Sequence, residues 1–187
     1  QAYFLKKVAA SPNCPKSSCP SPEKYMEAFD CEADHVYAVT LSANLSGSYN
    51  SALLGRNLLL ENKPEKKIHV FDSCSASVGE TLIALKIEEC ENAGMEFEKV
   101  VETVDKYIES QHTYFVLENL ETLRKNGRLS NLKAFVASAL KIKPVMGSTP
   151  EGTIAQLDQA RGINKALVKM VDYVAKGAAD SKNKVLG

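Results

Sequence analysis

Apolar residues along the first half of this chain alternate between two spacings, and each change of spacing predicts a strand followed by a helix. The run at 36–41 (VYAVTL) is apolar and rich in β-branched residues, as expected of a buried strand. Apolar residues then recur at helical spacing over 47–61. A second apolar run at 68–71 precedes two further helical stretches, 77–93 and 97–108. The order β-α-β-α favours a parallel sheet with helices on both faces.

The second half of the chain contains shorter elements. Strands are predicted at 113–117, 142–146 and 153–157, and helices at 120–124, 132–140 and 163–174. The turn Pro150-Glu151-Gly152 separates the last two strands, which indicates a hairpin. We therefore predict an α/β fold whose N-terminal part is a parallel sheet, followed by a smaller α+β domain. The predicted boundary lies near Ser110, giving domains 1–110 and 111–187.

The two ends of the chain lack the signals that usually begin or end an element. Gln1 stands inside a helical pattern without a capping residue, whereas Ser21 followed by Pro22 is a well-formed start for a helix at 22–29. The last residues, 184–187, look like the start of a strand. We therefore expect the chain to be truncated at both ends.

Composition excludes several functional classes. The 23 Lys and Arg residues equal the 23 Asp and Glu residues, so there is no overall field for nucleic acid or an anionic membrane. No apolar run reaches the roughly 20 residues of a membrane span, so stable membrane insertion is not expected. The five cysteines are odd in number and lack C-x-x-C spacing, which favours reduced thiols in the cytoplasm. No metal-ligand spacing or nucleotide-binding motif is present, and no cofactor is predicted.

Two predicted strands end in Ser-rich turns, SANLSGS after the first and DSCS after the second. Ligands of open parallel sheets bind outside the carboxyl ends of the strands. The first turn leads directly into a helix, whose first N–H groups lack internal partners and carry the positive end of the helix dipole. Ser42, Ser46 and Gly47 lie in this turn, and Ser17-Ser18 lies in a loop before another helix. Hydroxyl and N–H donors in such an arrangement suit a carboxylate or a phosphate.

The same residues carry a family resemblance. SANLSGSYNSA resembles the Ser-x-x-Leu-Ser-Gly-Thr-Tyr signature of the DegV family, bacterial proteins that bind a long-chain fatty acid. Four further stretches agree in order: PKSSCPSP, VFDSCSASVGE, LENLETLRKNGRLS and KPVMGSTPEGTIAQLDQARGINKAL. Three motif positions depart from the family pattern. Ser17 replaces Thr, Ser48 replaces Thr, and Asn126 replaces the first Gly of a Gly-Gly-Arg turn, but each change keeps a hydroxyl or a turn former.

The resemblance implies a specific function. Ser17 and Ser46 stand where the family holds the fatty-acid carboxylate, and Ser18, Ser42 and Gly47 would support the head group. Residues 111–187 would form a lipid-covering domain, with the tail buried between the domains. The ligand would be a long-chain fatty acid of the C14–C18 class. The protein would be a carrier rather than an enzyme, presenting the acid to the ATP-binding subunit of a fatty-acid kinase.

Besides the carrier, the residues alone leave two other functional classes open, an enzyme and a regulatory protein. A Ser-dependent acyl hydrolase or a small-molecule phosphotransferase could use the same serines. However, the turn around Ser46 lacks the flanking glycines of a nucleophile elbow. The possible histidine bases, His35, His69 and His112, begin, occupy or precede strands rather than follow them. The third possibility is a regulatory protein whose ligand tunes a partner contact.

Overall fold

A computed structural model describes residues 2–13, 15–118, 123, 126–128 and 142–177. In chain order the elements are α1 (Ala2–Ala10), α2 (Pro22–Phe29), β1 (His35–Thr40), α3 (Ser48–Leu60), β2 (Lys67–Asp72), α4 (Val78–Asn92), α5 (Phe97–Glu109), β3 (Tyr114–Val116), β4 (Ile142–Ser148), β5 (Ile154–Arg161) and α6 (Ile163–Gly177). Apart from residue 123, the helix predicted at 120–124 lies outside the described residues, as do the helix predicted at 132–140 and the strand predicted at 184–187.

Strands β1 and β2 form a parallel two-stranded sheet in the described part of the chain. They pair in register from His35 opposite Lys67 to Thr40 opposite Asp72. Side chains of a strand alternate between its two faces, so Val70 and Phe71 lie on opposite sides of this sheet. The carboxyl ends of both strands, Thr40 and Asp72, consequently meet at one edge.

Helices cover both faces of the parallel sheet, as the sequence pattern predicts. On one face, Phe71 packs in a core with residues of α4 and α5, including the fully buried Ile83 and Val104. On the other face, Ile68 and Val70 pack with residues of α2 and α3, including Phe29, Ala52 and Leu59. Each fully buried aliphatic or aromatic side chain stabilises the fold by roughly 1.5–3 kcal/mol relative to an exposed one.

The second half forms an antiparallel sheet with strand order β3-β4-β5. Tyr114 pairs with Gly147 and Val116 with Val145. The connection between β4 and β5 is a tight turn in which Thr149 N donates to Thr153 O at 2.9 Å. The predicted hairpin is therefore present. The predicted combination of a parallel α/β part with a smaller part containing antiparallel strands and helices is confirmed.

The described residues group into two compact units. The parallel-sheet unit contains Cys19–Thr113 together with Ser148–Thr153. The antiparallel-sheet unit contains the described residues of Gln1–Ser18, Tyr114–Gly147 and Ile154–Ala179. The division into domains 1–110 and 111–187, with a lipid-covering role for the second, stays a prediction.

The imidazole of His69 makes the stability of this fold sensitive to acid. Burial on β2 lowers the pKa of His69, the nearby Arg56 lowers it further, and Asp105 opposes the effect. In the unfolded chain the pKa returns to about 6.5. The unfolded state therefore takes up a proton that the folded state resists, so the free energy of unfolding should fall as the pH drops below about 6.5.

Urea unfolding at several pH values between about 7.5 and 5.5 tests this expectation. The unmodified chain should lose more stability over that range than His69→Gln, because glutamine does not titrate. The carboxylates titrate at lower pH and change both proteins equally. If the free energy of unfolding fell equally with pH in both proteins, His69 would not contribute to the acid sensitivity.

Candidate functional site

Ser42 organises the turn that follows β1. Its side chain is fully buried, and its hydroxyl donates to Gly152 O at 2.8 Å. The same oxygen accepts from Asn44 N at 3.3 Å, while Ser42 N donates to Ser75 O at 2.9 Å. The hydroxyl proton of Ser42 is thus already used within the protein. Ser42 can support a ligand through the shape of the turn, not through this proton.

Asp72 joins the turns that follow the two parallel strands. Its Oδ1 accepts from Ala43 N at 3.1 Å and from Cys74 N at 3.0 Å. Within the second turn, Ser73 Oγ donates to Ser75 O at 3.1 Å. Hydrogen bonds to an ionised carboxylate are stronger than those between neutral groups. The two Ser-rich turns are therefore held next to each other at the carboxyl edge of the sheet.

Ser46 lies at the start of α3, where the helix has open donors. Its half-buried hydroxyl oxygen accepts from Ser48 N at 3.2 Å and shares a hydrogen bond with Ser48 Oγ at 2.9 Å. The N-cap residue is Gly47, which has no side chain to cap the helix. Among the described residues, the N–H groups of Tyr49 and Asn50 have no hydrogen-bond acceptor. The start of α3 can consequently accept an anion.

The start of α4 differs, although this helix also follows a Ser-rich turn. Ser77 N donates to Glu80 Oε1 at 2.9 Å, so a carboxylate of the helix itself occupies the start of α4. That bond belongs to a capping box formed by Ser77 and Glu80. Of the two helices that follow the parallel strands, α3 is the one whose first turn is left open for an external anion.

The segment at Cys19 and Pro20 packs against the first turn of α3. Ser51 Oγ donates to Pro20 O at 2.6 Å. A Cβ added at Gly47 would lie 3.3 Å from Cys19 Sγ, which shows how closely the two chain segments approach. Both contacts lie inside the parallel-sheet unit.

Ser17 and Ser18 immediately precede this anchored segment. Both are exposed residues without regular secondary structure, and both belong to the antiparallel-sheet unit. Ser42, Ser46 and Gly47 belong to the parallel-sheet unit and lie together in one turn. A meeting of the Ser17 and Ser46 hydroxyl groups stays a prediction.

Gly152 packs against the carboxyl edge of the parallel sheet, and the sequence did not predict this role. Its φ is +76°, and a Cβ there would lie 2.4 Å from Ser42 Oγ and 2.7 Å from Cys74 Cα. Beside it, Asn44 Nδ2 donates to Glu151 O at 2.6 Å. The sequence predicted a turn at 150–152, but it carried no signal that the tip would pack on the turn after β1.

The groups around Ser46 and Cys74 are poorly suited to covalent catalysis. The hydrogen-bond partners of Ser46 Oγ within the described ranges are the hydroxyl and N–H of Ser48, and neither is a base. Burial raises the pKa of the Cys74 thiol, and the charges of Asp72 and Glu151 raise it further, which disfavours a reactive thiolate. The arrangement is better suited to holding an anion than to attacking a carbonyl group.

Two other kinds of feature are absent from the described residues. No group of three or more His, Cys, Asp or Glu side chains in these ranges could hold a metal ion. No helix within the same residues combines the length and the apolar character needed to cross a membrane.

Comparison with known proteins gives a consistent family match. The family model for DegV proteins, which describes them as uncharacterised, matches residues 1–187. A DegV domain-containing protein of Streptococcus pneumoniae is 39% identical over 173 residues, covering 92% of this chain and 61% of the relative. The chain thus spans about three fifths of the length of this curated relative.

Solved structures of similar proteins contain fatty acids. A DegV family protein from Ruminococcus gnavus with vaccenic acid is 63% identical with a TM-score of 0.94, and the match covers 98% of this chain and 65% of that protein. The Fatty Acid Kinase B3 protein of Streptococcus pneumoniae, loaded with linoleic acid, is 38% identical with a TM-score of 0.87. Here the match covers 95% of this chain and 63% of that protein.

Proposed function

Since this chain belongs to the DegV family, we propose that it is the part of a cytoplasmic carrier protein that binds one long-chain fatty acid. Its similarity to proteins solved with vaccenic and linoleic acid supports this ligand class. The carboxylate is held at the start of α3 by Ser46, and the apolar tail is buried away from water. The carrier presents the acid to an ATP-binding kinase subunit and is not itself the catalyst.

The observation that carries the proposal is the uncapped first turn of α3. Tyr49 and Asn50 offer N–H groups without acceptors among the described residues, and the adjacent Ser46 hydroxyl can donate its proton to an incoming carboxylate. Because the helix dipole also favours negative charge there, each such contact stabilises a carboxylate relative to a neutral group.

Ser17 is proposed as the second hydroxyl on the carboxylate. Cys19 and Pro20 are anchored beside Gly47 and Ser51, and Ser17 lies two peptide bonds before Cys19. Consecutive Cα atoms are about 3.8 Å apart, so this connectivity keeps Ser17 within about 8 Å of Cys19. Ser18 and the turn around Ser42 support the same head group.

The apolar tail would supply most of the affinity. Burying one methylene group contributes ~0.8 kcal/mol, so a chain of about fifteen contributes on the order of 12 kcal/mol before opposing terms. Lost ligand freedom and carboxylate desolvation oppose it. The head-group residues therefore determine orientation and selectivity for an acid, and their removal should weaken binding without abolishing it.

Native mass spectrometry of the gently purified chain tests ligand binding directly. The expected result is an added mass in the range of a C14–C18 fatty acid, recovered by solvent extraction. Failure of both the native protein and the delipidated protein to bind added fatty acid would contradict the proposal.

Replacement of Ser46 tests the head-group assignment. Ser46→Ala should weaken fatty-acid binding by ~1–3 kcal/mol, or about five- to 150-fold, because a buried carboxylate loses a hydrogen-bond donor. Ser11→Ala is the matched control, since the hydrogen bonds of the exposed Ser11 hydroxyl to the described residues stay within its own turn, at Asn13. Equal affinities for the two variants would remove Ser46 from the site, even if the ligand remained a fatty acid.

A further inference from the structure

The loop that carries Ser17 makes few bonds of its own. Residues 15–20 have no regular secondary structure, and residues 16–20 are exposed. Among the described residues, Lys16, Ser17 and Ser18 take part in no hydrogen bond or ion pair. The conformation of the chain at Ser17 is consequently set by contacts that the neighbouring residues make.

Asn126 supplies the contact that precedes Ser17. Its Nδ2 donates to Pro15 O at 3.1 Å, and this bond joins residues 111 positions apart. Both residues are half-buried and belong to the antiparallel-sheet unit, as Ser17 does. The proline ring fixes the φ of Pro15 near −65°, and the bond to its carbonyl oxygen orients the peptide group that follows. The direction in which the chain leaves Pro15 towards Ser17 is therefore set by Asn126.

The backbone of Asn126 is itself held in place. Arg128 Nη1 donates to Asn126 O at 2.9 Å, and Arg128 N donates to Leu123 O at 3.0 Å. These bonds close the turn that contains Asn126. The amide group that binds Pro15 is thus presented from a defined turn, so its contact with the loop restricts the loop rather than following it.

The anchor lies close enough to Ser17 to affect its hydroxyl group. Only Lys16 separates Pro15 from Ser17, so the Cα atoms of Pro15 and Ser17 are at most about 7.6 Å apart. Fixing the backbone of one residue changes an equilibrium constant by about five- to thirtyfold. A loop that is already ordered at Pro15 loses less freedom when a ligand binds to Ser17 than a loop without this anchor.

We propose that Asn126 is a positioning residue for the fatty-acid head group. Through Pro15 it holds Ser17 in the orientation in which the Ser17 hydroxyl donates to the carboxylate. The inference rests on the proposed function, in which Ser17 is the second hydroxyl on that carboxylate. Asn126 acts on the ligand only through the loop, so its effect on affinity depends on the presence of the Ser17 hydroxyl.

Tryptic cleavage of the unliganded chain after Lys16 tests the anchor separately from fatty-acid binding. Asn126→Ala should raise the rate of this cleavage about two- to twelvefold, as expected when one hydrogen bond no longer opposes opening of the loop. Asn62→Ala is the matched control, because Asn62 Nδ2 also donates to a backbone oxygen, that of Leu58, but at the exposed end of α3. An unchanged rate in Asn126→Ala, or an equal rise in both variants, would overturn the proposal.

A double-mutant cycle with palmitic acid as the probe tests the positioning role. The four proteins are the unmodified chain, Asn126→Ala, Ser17→Ala and the variant with both replacements. Asn126→Ala alone should weaken binding about two- to twelvefold. In the Ser17→Ala background the same change should have almost no effect, because two residues that act through one contact are not additive. A combined loss equal to the product of the two single losses would contradict the proposal.

The cycle also distinguishes this inference from the proposed function. If Ser17→Ala weakened binding and Asn126→Ala did not, the positioning role would be wrong and Ser17 would remain a carboxylate ligand. If Ser17→Ala had no effect, Ser17 would be removed from the site and the positioning role with it, although the ligand would still be a fatty acid. Asn126→Asp repeats both tests with a side chain of the same shape that accepts but does not donate at neutral pH. It keeps the proposal falsifiable if Asn126→Ala folds poorly.

Discussion

Gly152→Ala is expected to lower the free energy of unfolding by about 2–5 kcal/mol. The φ of +76° at Gly152 costs an alanine about 1–2 kcal/mol. The added Cβ would also lie 2.4 Å from Ser42 Oγ and 2.7 Å from the Cα of Cys74. Forcing an atom into such a contact typically costs a further 1–3 kcal/mol. Urea unfolding followed by circular dichroism measures the change.

Gly94→Ala separates the two contributions to this loss. Gly94 has a similar φ of +70°, but a Cβ built there has no atom of the described residues within 4 Å, its two chain neighbours aside. Its replacement should therefore cost only the backbone term, about 1–2 kcal/mol. If both variants lost the same stability, the close packing of the turn tip against Ser42 and Cys74 would have no energetic importance.

Ser46→Asp should weaken fatty-acid binding by at least about a hundredfold. The new carboxylate would stand at the start of α3, where the ligand carboxylate is proposed to bind. Two like charges about 4 Å apart repel by roughly 4 kcal/mol at an effective dielectric constant of 20. The helix itself tolerates the change, since an acidic residue near a helix N-terminus is favourable. Titration of the delipidated chain with fatty acid measures the effect.

Ser21→Asp provides the control for adding a carboxylate at a helix start. Ser21 caps α2 by accepting from Lys24 N at 3.4 Å, and aspartate is an equally good cap. This variant should fold and bind fatty acid like the unmodified chain. Similar losses of affinity in Ser21→Asp and Ser46→Asp would indicate a general effect of negative charge and would contradict a carboxylate site at α3.

Local sequence signals were sufficient for the elements that position the site. The apolar run at 36–41 predicted a strand, and β1 spans His35–Thr40. The periodicity after it predicted α3, which spans Ser48–Leu60. Ser21 and Pro22 predicted the start of α2, where Ser21 is indeed the N-cap. These signals work because capping and periodicity act between residues only a few positions apart.

The roles of individual hydroxyl groups could not be assigned in the same way. Ser42 and Ser46 look alike in the sequence, yet the Ser42 hydroxyl donates to Gly152 O, more than a hundred residues away. Ser46 instead bonds to Ser48, within its own turn. Ser77 and Ser46 both precede helices, but at Ser77 the carboxylate of Glu80 accepts from the N–H of Ser77 itself, whereas no carboxylate of the described residues does so at Ser46. Which hydroxyl is free for a ligand depends on these partners.

By itself, the sequence determined the order of strands and helices, the Ser-rich turns and the family, because each depends on neighbouring residues or on short motifs. Only the tertiary structure decided that Gly152 packs on Ser42, that Asp72 accepts from Ala43 N in the turn after β1, and that Glu91 bonds to Tyr37 and His35. Those contacts join residues between 29 and 110 positions apart. The physical reason is that such pairs form only once burial of the apolar faces of the sheet brings distant segments together, and no local pattern in the chain records that arrangement.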